Sequence, residues 1–414
     1  MVQVSPFRGI HYDPAVVQLD SVLSPPYDVI SPELQMELYG RAMQNVVRVE
    51  LGRDFADDLP GERDRYTRAR DHLHAWLMEG VLVQDEQPSV YLHRHTFRPP
   101  GGGGPRERLG CFVGVEPVPH ERREVLRHEL TMTAPREDRL RLLQATRTQT
   151  SPIFLLYENC ADVTRELERV SSADRPFAEA VVEGDYGAER HQLWRVVQPD
   201  TVGKITAGLS QTRLFIADGH HRYETALNLG LPRFLALVSP LEDDGNVILP
   251  THRVVPDAAV GVDGLADELS SRGWHIESLP ELDHVLARLI GLRETDHAVA
   301  LVGEEDKVVA SRHRLDGVAD NPRATVDVSV LESEILEPLL GIAARDAAAG
   351  RLLYSRDPQE ALELAVTRHG VAFLLNPTTV SEMAAVALAD EAMPQKSTYF
   401  FPKVPAGLLI MGSE

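Results

Sequence analysis

The clearest pattern along the chain is an apolar run that stops at a polar turn and continues as an amphipathic segment. Residues 214–217 are Leu-Phe-Ile-Ala, and Asp218-Gly219 follows them directly. Beyond this turn, Tyr223 and Ala226 recur at helical spacing. The pattern predicts a strand, a tight turn and the start of a helix.

Other apolar runs predict further strands and helices in a mixed α and β (α+β) chain. Two helices are predicted, over residues 62–78 and 380–388, and the charged stretch from residue 121 is predicted to be helical up to a strand at 153–157. Further strands are predicted over residues 89–97, 108–115, 234–238, 247–255, 298–302, 308–312 and 370–375. The glycine-rich residues 99–105 lie between two of these strands and predict a hairpin tip.

Length and composition indicate a multidomain soluble protein. A chain of 414 residues exceeds one ordinary core, and 43% hydrophobic with 25% charged residues is typical of globular proteins. We predict three regions, over residues 1–120, 121–256 and 257–414. No apolar run approaches the ~18 residues that a membrane span requires. The N-terminus lacks the pattern of a signal peptide, and two cysteines fit a reducing compartment, so we expect a cytoplasmic protein.

The net charge of the chain is strongly negative, which bears on whether it binds nucleic acids. Asp and Glu total 63 against 42 Lys and Arg, which gives a formal charge of −21. Such a field repels nucleic-acid backbones and argues against a dedicated nucleic-acid binder. A small anionic ligand remains compatible with it.

The turn at residue 218 carries the strongest chemical signal, the sequence Asp218-Gly219-His220-His221-Arg222. The glycine allows close approach of a ligand to the backbone, and the amides of the first helical turn, with Arg222, would face an anion. We therefore predict a phosphate-binding turn. In one alternative Asp218 caps the helix and the other side chains are solvated. In another the histidines bind zinc, although no Cys-X-X-Cys or His-Glu-X-X-His spacing supports this.

Two further segments offer side chains suited to phosphoryl chemistry. His128-Glu129, with Thr131 two residues on, could supply a general base or a Mg²⁺ ligand; the alternative is an ordinary helix surface. The tail around Lys396-Ser397-Thr398 offers the lysine and hydroxyl groups that phosphate oxygens prefer, or else an exposed terminal strand. The common Walker A, kinase glycine-loop and Gly-X-Ser-X-Gly motifs are absent from the sequence.

Taken together, these motifs resemble a bacterial and archaeal family known as domain of unknown function 1015. The likeness covers nearly the whole chain. It rests on Pro25-Pro26-Tyr27-Asp28-Val29-Ile30, His128-Glu129 with Thr131, Asp138-Arg139, Asp218 to Tyr223, Pro250-Thr251-His252-Arg253 and the tail from Met393 to Lys403.

The turn itself is similar to the Gly-X-X-Arg phosphate motif of the ParB/sulfiredoxin superfamily, and archaeal free serine kinase carries an Asp-Gly-His-His-Arg turn. The resemblance implies a ParB/sulfiredoxin-like nucleotide-binding core with additional α/β regions. It also implies transfer from ATP or ADP, with Mg²⁺, to a small hydroxylated amino acid, foremost L-serine.

The resemblance also suggests roles for individual residues. Gly219, His220, His221 and Arg222 would hold phosphate, with His221 also among the catalytic candidates, and Asp218 would sit beside the metal or the substrate hydroxyl. Lys396, Ser397 and Thr398 would contact the nucleotide. Arg253 would anchor the substrate carboxylate and Asp28 its amine. Glu129 is the candidate base, with Glu183 and Glu189 as rivals.

Two other functions stay open. A nucleotide sensor would bind nucleotide without turnover. A nuclease or nucleic-acid binder, also found among ParB-like domains, is disfavoured by the charge and by the lack of an aromatic–basic stripe.

Overall fold

Helices and strands alternate along the chain, which confirms the predicted mixed α and β class. The computed structural model describes residues 1–129, 133–158, 160–314 and 321–413. The α-helices are α1 (Leu19–Val22), α2 (Pro32–Arg41), α3 (Val47–Glu50), α4 (Arg65–Met78), α5 (Thr133–Thr146), α6 (Ala161–Ala173), α7 (Pro199–Ser210), α8 (His220–Asn228), α9 (Val262–Ser271), α10 (Leu282–Leu292), α11 (Asp327–Val330), α12 (Glu337–Leu340), α13 (Pro358–Thr367) and α14 (Val380–Leu388).

The strands are short, and many coincide with the apolar runs of the sequence. They are β1 (Val4–Ser5), β2 (Gly9–Tyr12), β3 (Leu82–Gln84), β4 (Val90–Phe97), β5 (Arg106–Val115), β6 (Val125–Leu126), β7 (Thr148–Gln149), β8 (Ile153–Tyr157), β9 (Ala178–Gly184), β10 (Gly187–Val196), β11 (Leu214–Asp218), β12 (Phe234–Pro240), β13 (Val247–Leu249), β14 (His252–Val255), β15 (His275–Ser278), β16 (Asp296–Val302), β17 (Lys307–His313), β18 (Leu353–Ser355), β19 (Val371–Leu375), β20 (Tyr399–Phe401) and β21 (Ile410–Gly412).

Two sequence predictions differ from the structure. Residues 121–129 are not α-helical: a 3-10 turn at His120–Arg122 is followed by the short strand β6. The helix α5 begins only at Thr133. The predicted strand 247–255 is two strands, β13 and β14, with Pro250 between them. Proline lacks the N–H that would continue a strand ladder, which is why the strand is interrupted there.

The chain forms two compact units. Unit 1 contains Met1–Leu126, Thr131–Val247 and Phe401–Glu414, and unit 2 contains Arg127–Leu130 and Ile248–Phe400. The sheet of unit 1 joins strands on both sides of residue 120. The predicted division into the regions 1–120, 121–256 and 257–414 stays a prediction.

Unit 1 is built on a mixed nine-stranded sheet in the order β6-β11-β8-β12-β5-β4-β10-β9, with β1 paired to β5. Its central strands β8 and β12 are buried along their whole length, as expected for apolar strands covered on both faces. Helices α6, α7 and α8 pack on one face over an apolar core that includes Leu92, Cys111, Leu155, Trp194 and Ile216. A second sheet in this unit has the order β3-β2-β21-β7.

Unit 2 contains a six-stranded sheet in the order β15-β17-β16-β19-β14-β18, whose neighbouring strands are antiparallel. Helices α10 and α13 contribute Val285, Leu289 and Ala361 to its core, against Ala300 and Leu374 of the sheet. No helix in the described part of the protein is long and apolar enough to cross a membrane.

Candidate functional site

The predicted strand–turn–helix is present in unit 1. Strand β11 ends at Asp218, Gly219 has a left-handed conformation with φ 101°, and α8 begins at His220. No side chain among the described residues caps this helix, whose N-cap residue is Gly219. The first-turn N–H groups of a helix point out of its N-terminus and favour an anion. The turn therefore has the backbone geometry of an anion site, and the alternative in which Asp218 caps the helix is wrong.

Asp218 lies between two cations at this turn. One carboxylate oxygen is 2.6 Å from Nη2 of Arg222, and the other contacts Nζ of Lys403. Burial would raise the pKa of Asp218, but the charges of Lys403 and Arg222 outweigh it and hold this pKa below its usual value. Asp218 is thus an ionised group held in place by two ion pairs.

Arg222 is fixed by further contacts. Its Nη1 donates to the carbonyl of Pro152, and its Nε is buried without a partner among the described residues. A Cβ atom at Gly219 would lie 3.1–3.2 Å from the Arg222 guanidinium. The backbone conformation therefore favours glycine at position 219, and any larger residue would also make the Arg222 guanidinium shift by a few tenths of an ångström.

A cleft lies beside the turn, between α5, α8 and residues 148–153. Arg222 lines it together with Glu50 and Arg139. Its other lining residues are Leu142, Leu143, Thr148, Gln149, Thr150, Ser151, Ile153, Thr225, Ala226 and Leu231. The cleft thus contains both the Arg222 guanidinium and the buried carboxylate of Glu50.

Glu50 is a candidate that sequence reasoning missed. Its side chain is buried at the end of α3, where its carboxylate accepts hydrogen bonds from Thr150 at 2.5 Å and Ser151 at 2.6 Å. Nη1 of Arg139 lies 3.3 Å from the same carboxylate. The available signal was an acidic residue between the apolar Val49 and Leu51, because a charged side chain is seldom buried without a partner.

Two motifs that are far apart in the sequence meet at Arg139. The Arg139 guanidinium lies 3.9 Å from the ring centroid of Tyr27, and its Nη2 is 2.5 Å from Asp138. Burial raises the pKa of Tyr27 to about 12, although the charges of Arg139 and Arg222 oppose the shift. Asp28, the predicted amine anchor, is exposed in the same 3-10 turn as Tyr27. The Pro-Pro-Tyr-Asp and Asp-Arg motifs are thus in contact through Tyr27 and Arg139.

The histidines of the turn lie half-buried at the start of α8. Neither His220 nor His221 belongs to a cluster of three metal-ligating side chains within the described ranges. The structure therefore gives no support to the zinc alternative at this turn.

The remaining predicted site residues belong to unit 2. Glu129 accepts a hydrogen bond from the backbone N–H of Ser397 at 3.0 Å, and His128 Nε2 lies 2.8 Å from the hydroxyl of Thr398. The structure thus brings the His-Glu motif and the tail together, although Glu129 is not on a helix as expected for residues 121–152. Thr131 lies outside the described residues.

Arg253 is buried in unit 2 and bonds to main-chain carbonyls. It donates to Thr251, to Gln395 at 3.2 Å and to Lys396 at 3.1 Å. Burial lowers its pKa to about 10. The side chain of Lys396 is exposed. The convergence of Glu129, Arg253 and the tail on the turn stays a prediction.

Comparisons with solved structures give weak likenesses. A mutant of free serine kinase in complex with AMP is similar at 14% identity and a TM-score of 0.37, over 72% of this chain and 92% of that one. A conserved hypothetical protein from Pyrococcus furiosus has 15% identity and a TM-score of 0.34, over 72% and 93%. SbnI with a C-terminal truncation, from Staphylococcus aureus, has 14% identity and a TM-score of 0.35, over 69% and 83%.

No curated protein matches the sequence significantly. The family model described as "Protein of unknown function (DUF1015)" matches residues 4–329, which is most of the chain. The motifs noted in the sequence and this match agree, and the chain belongs to the DUF1015 family.

Proposed function

We propose that this protein transfers a phosphoryl group from ATP or ADP to the hydroxyl of a small amino acid, foremost free L-serine, giving O-phosphoserine. The observation that carries the proposal is the cleft in which Arg222 of the glycine turn and the buried carboxylate of Glu50 both lie. Phosphoryl transfer depends mainly on positioning and on charge neutralisation, and these two groups are suited to both.

The turn is the proposed phosphate end of the site. Backbone N–H groups at the start of α8 and the Arg222 guanidinium would bind phosphate oxygens, with His220 and His221 beside them. Asp218, held by Arg222 and Lys403, would keep both cations in place until the nucleotide arrives. His221 as a catalytic residue, and the nucleotide contacts of Lys396, Ser397 and Thr398, remain part of the proposal.

We propose Glu50 as the base that accepts the proton of the substrate hydroxyl. A base must reach that proton within about 3 Å or through one water. Glu50 lines the cleft, and Arg139, Thr150 and Ser151 fix the orientation of its carboxylate. Glu129, the candidate from the sequence, is the rival, and its carboxylate accepts a hydrogen bond from the backbone N–H of Ser397. Arg253 and Asp28 stay as proposed anchors for the amino acid.

Magnesium is proposed as part of the nucleotide substrate. Both carboxylate oxygens of Asp218 are paired with cations, those of Arg222 and Lys403. Asp218 is therefore better placed to orient these two side chains than to coordinate Mg²⁺. Asp218 as a magnesium ligand stays a prediction that requires one of these ion pairs to open.

The experiment is an incubation of the full chain with ATP or ADP, Mg²⁺ and serine, threonine or homoserine, followed by phosphorus NMR. We expect a phosphomonoester signal with serine that requires Mg²⁺ and disappears with EDTA, because unshielded phosphates repel the incoming oxygen. Bound nucleotide without any product across the three acceptors would contradict the proposal and would favour the sensor function.

A further inference from the structure

A second group of buried ionisable side chains lies on the other face of the unit 1 sheet from its apolar core. His95 of β4 and His191 of β10 are directly opposite each other in the antiparallel ladder. Glu189 lies two residues before His191, and alternate residues of a strand share a face. The side chains of His95, Glu189 and His191 are 0%, 10% and 0% exposed.

The donor atoms of these three residues face one another. Nε2 of His95 is 3.0 Å from Oε2 of Glu189, and Nε2 of His191 is 4.0 Å from the same oxygen. All three donor atoms lie within 4.8 Å of one another. Ligands held about 2.1 Å from one metal ion lie about 3.0–3.5 Å apart, so small side-chain movements would close the site.

His191 provides an observation that is independent of these distances. Its Nε2 is buried without a hydrogen-bond partner among the described residues, although a buried polar atom normally has one. Its other nitrogen, Nδ1, is 3.0 Å from Nε2 of His93. A metal-binding histidine characteristically has its second ring nitrogen held in this way.

Burial shifts the pKa values of the three ligands: it raises that of Glu189 to about 7, so metal binding would also displace a proton from this carboxyl group, and it lowers those of the two histidines. Burial, followed by the charge of Arg108, lowers the pKa of His191 to about 3, and burial likewise holds the pKa of His95 well below its usual value. Both imidazoles are therefore neutral near pH 7, which is the form that binds metal ions.

We propose that His95, Glu189 and His191 bind one divalent transition-metal ion. Two imidazoles and one carboxylate favour Zn²⁺ or Fe²⁺ over Mg²⁺ or Ca²⁺, which prefer oxygen ligands. His93 positions His191 through the contact between their ring nitrogens. The site is distinct from the cleft beside Arg222, and it does not depend on the proposed kinase function.

Arg108 determines which ring nitrogen of His95 carries the proton before a metal binds. Its Nη2 lies 3.2 Å from Nδ1 of His95 and 3.0 Å from the carbonyl of Pro402. Guanidinium only donates, so Nδ1 of His95 accepts and Nε2 carries the proton that is donated to Glu189. Metal binding through Nε2 would move this proton to Nδ1. Because two N–H groups cannot hydrogen-bond to each other, Arg108 would then give up its contact with Nδ1 and keep its bond to Pro402. Because Arg108 also adds a buried positive charge, we expect moderate rather than extreme affinity.

The test is titration of the full chain, first stripped with EDTA and dialysed, with Zn²⁺, Fe²⁺ or Co²⁺ in separate experiments. Calorimetry should show one equivalent bound, and Co²⁺ should give visible absorption bands from bound imidazole and carboxylate. Glu189→Gln and His191→Ala should each weaken binding at least ~100-fold. His93→Ala should weaken it about 10–100-fold, the effect of losing an outer partner.

His74→Ala is the matched control, because His74 is an exposed histidine on α4. It should bind metal like the wild type. Glu189→Gln keeps the shape of the side chain, and its circular dichroism and thermal unfolding would verify that the variant is folded. Absence of stoichiometric binding of all three ions would overturn the proposal, as would unchanged binding in both Glu189→Gln and His191→Ala.

Discussion

At the scale of single residues, the candidate site is defined by charges that fix one another. Asp218 holds Arg222 and Lys403, while Glu50 is held by Arg139 and two hydroxyl groups. A buried charge is tolerated when it is paired and hydrogen-bonded. Both ends of the proposed site are therefore preorganised before any ligand binds, and a preorganised site spends less free energy on ordering when the ligand arrives.

Replacing Glu50 tests which carboxylate acts as the base. Glu50→Gln should keep nucleotide binding but lower phosphoryl transfer by about 10²–10⁴-fold, the range for losing a general base. Glu129→Gln is the matched comparison, and we expect it to stay within a few-fold of wild type. Turnover is measured by phosphorus NMR and nucleotide binding by calorimetry.

The reverse pattern, with loss of turnover only in Glu129→Gln, would assign the base to the candidate from the sequence. Loss of nucleotide binding in Glu50→Gln would instead show that Glu50 supports the structure of the cleft.

The sequence predicted some residues of the site and not others, for a physical reason. Arg222 and Asp218 were predicted because a strand, a glycine turn and a helix start are local signals. The contact between Asp218 and Lys403 spans 185 positions, and the burial of Glu50 depends on Thr150 and Ser151. Such long-range contacts leave no periodic pattern in the sequence.

At the scale of elements, the turn between β11 and α8 makes the site possible. Gly219 combines φ 101° with a guanidinium 3.1–3.2 Å from the position that a Cβ would take. Gly230 also has positive φ, at 60°, but a Cβ there would meet nothing within 4 Å. Replacing each glycine by alanine therefore distinguishes two effects: both variants strain the backbone, but only the variant at position 219 disturbs Arg222.

Gly219→Ala should therefore cost about 2–3 kcal/mol of unfolding free energy, and Gly230→Ala about 1 kcal/mol, since alanine is disfavoured in left-handed backbone. Only the first variant should lose nucleotide affinity, because only there is Arg222 displaced. Urea unfolding and calorimetry measure the two effects. Equal nucleotide affinity in both variants would disprove the role given to the turn.

Elements with strong local signals were predicted closely. The helix predicted at 380–388 is α14, and the hairpin predicted on either side of residues 99–105 is formed by β4 and β5. Residues 121–129 were predicted to be helical because they are rich in charged residues. The structure instead pairs Val125 and Leu126 with β11, so tertiary pairing outweighs local composition there.

At the scale of the whole molecule, the acidic charge restricts the partners. With a net charge of −21, binding to duplex or single-stranded DNA should be undetectable near physiological salt, because the phosphate backbone is repelled. Fluorescence anisotropy with labelled oligonucleotides measures this. Micromolar binding that weakens steeply with added salt would revive the nucleic-acid alternative.

The central claim, that the turn at Asp218 binds a nucleotide, is tested most directly by calorimetric titration of ADP with Mg²⁺ into the wild type and Arg222→Ala. Loss of one charge-assisted hydrogen bond should weaken binding by about 1.5–3 kcal/mol, or about 10–150-fold. Arg272→Ala is the matched control, because Arg272 forms an exposed helix pair with Glu268. We expect it to bind like the wild type. Equal affinity in Arg222→Ala and Arg272→Ala, or no binding by the wild type, would contradict the account.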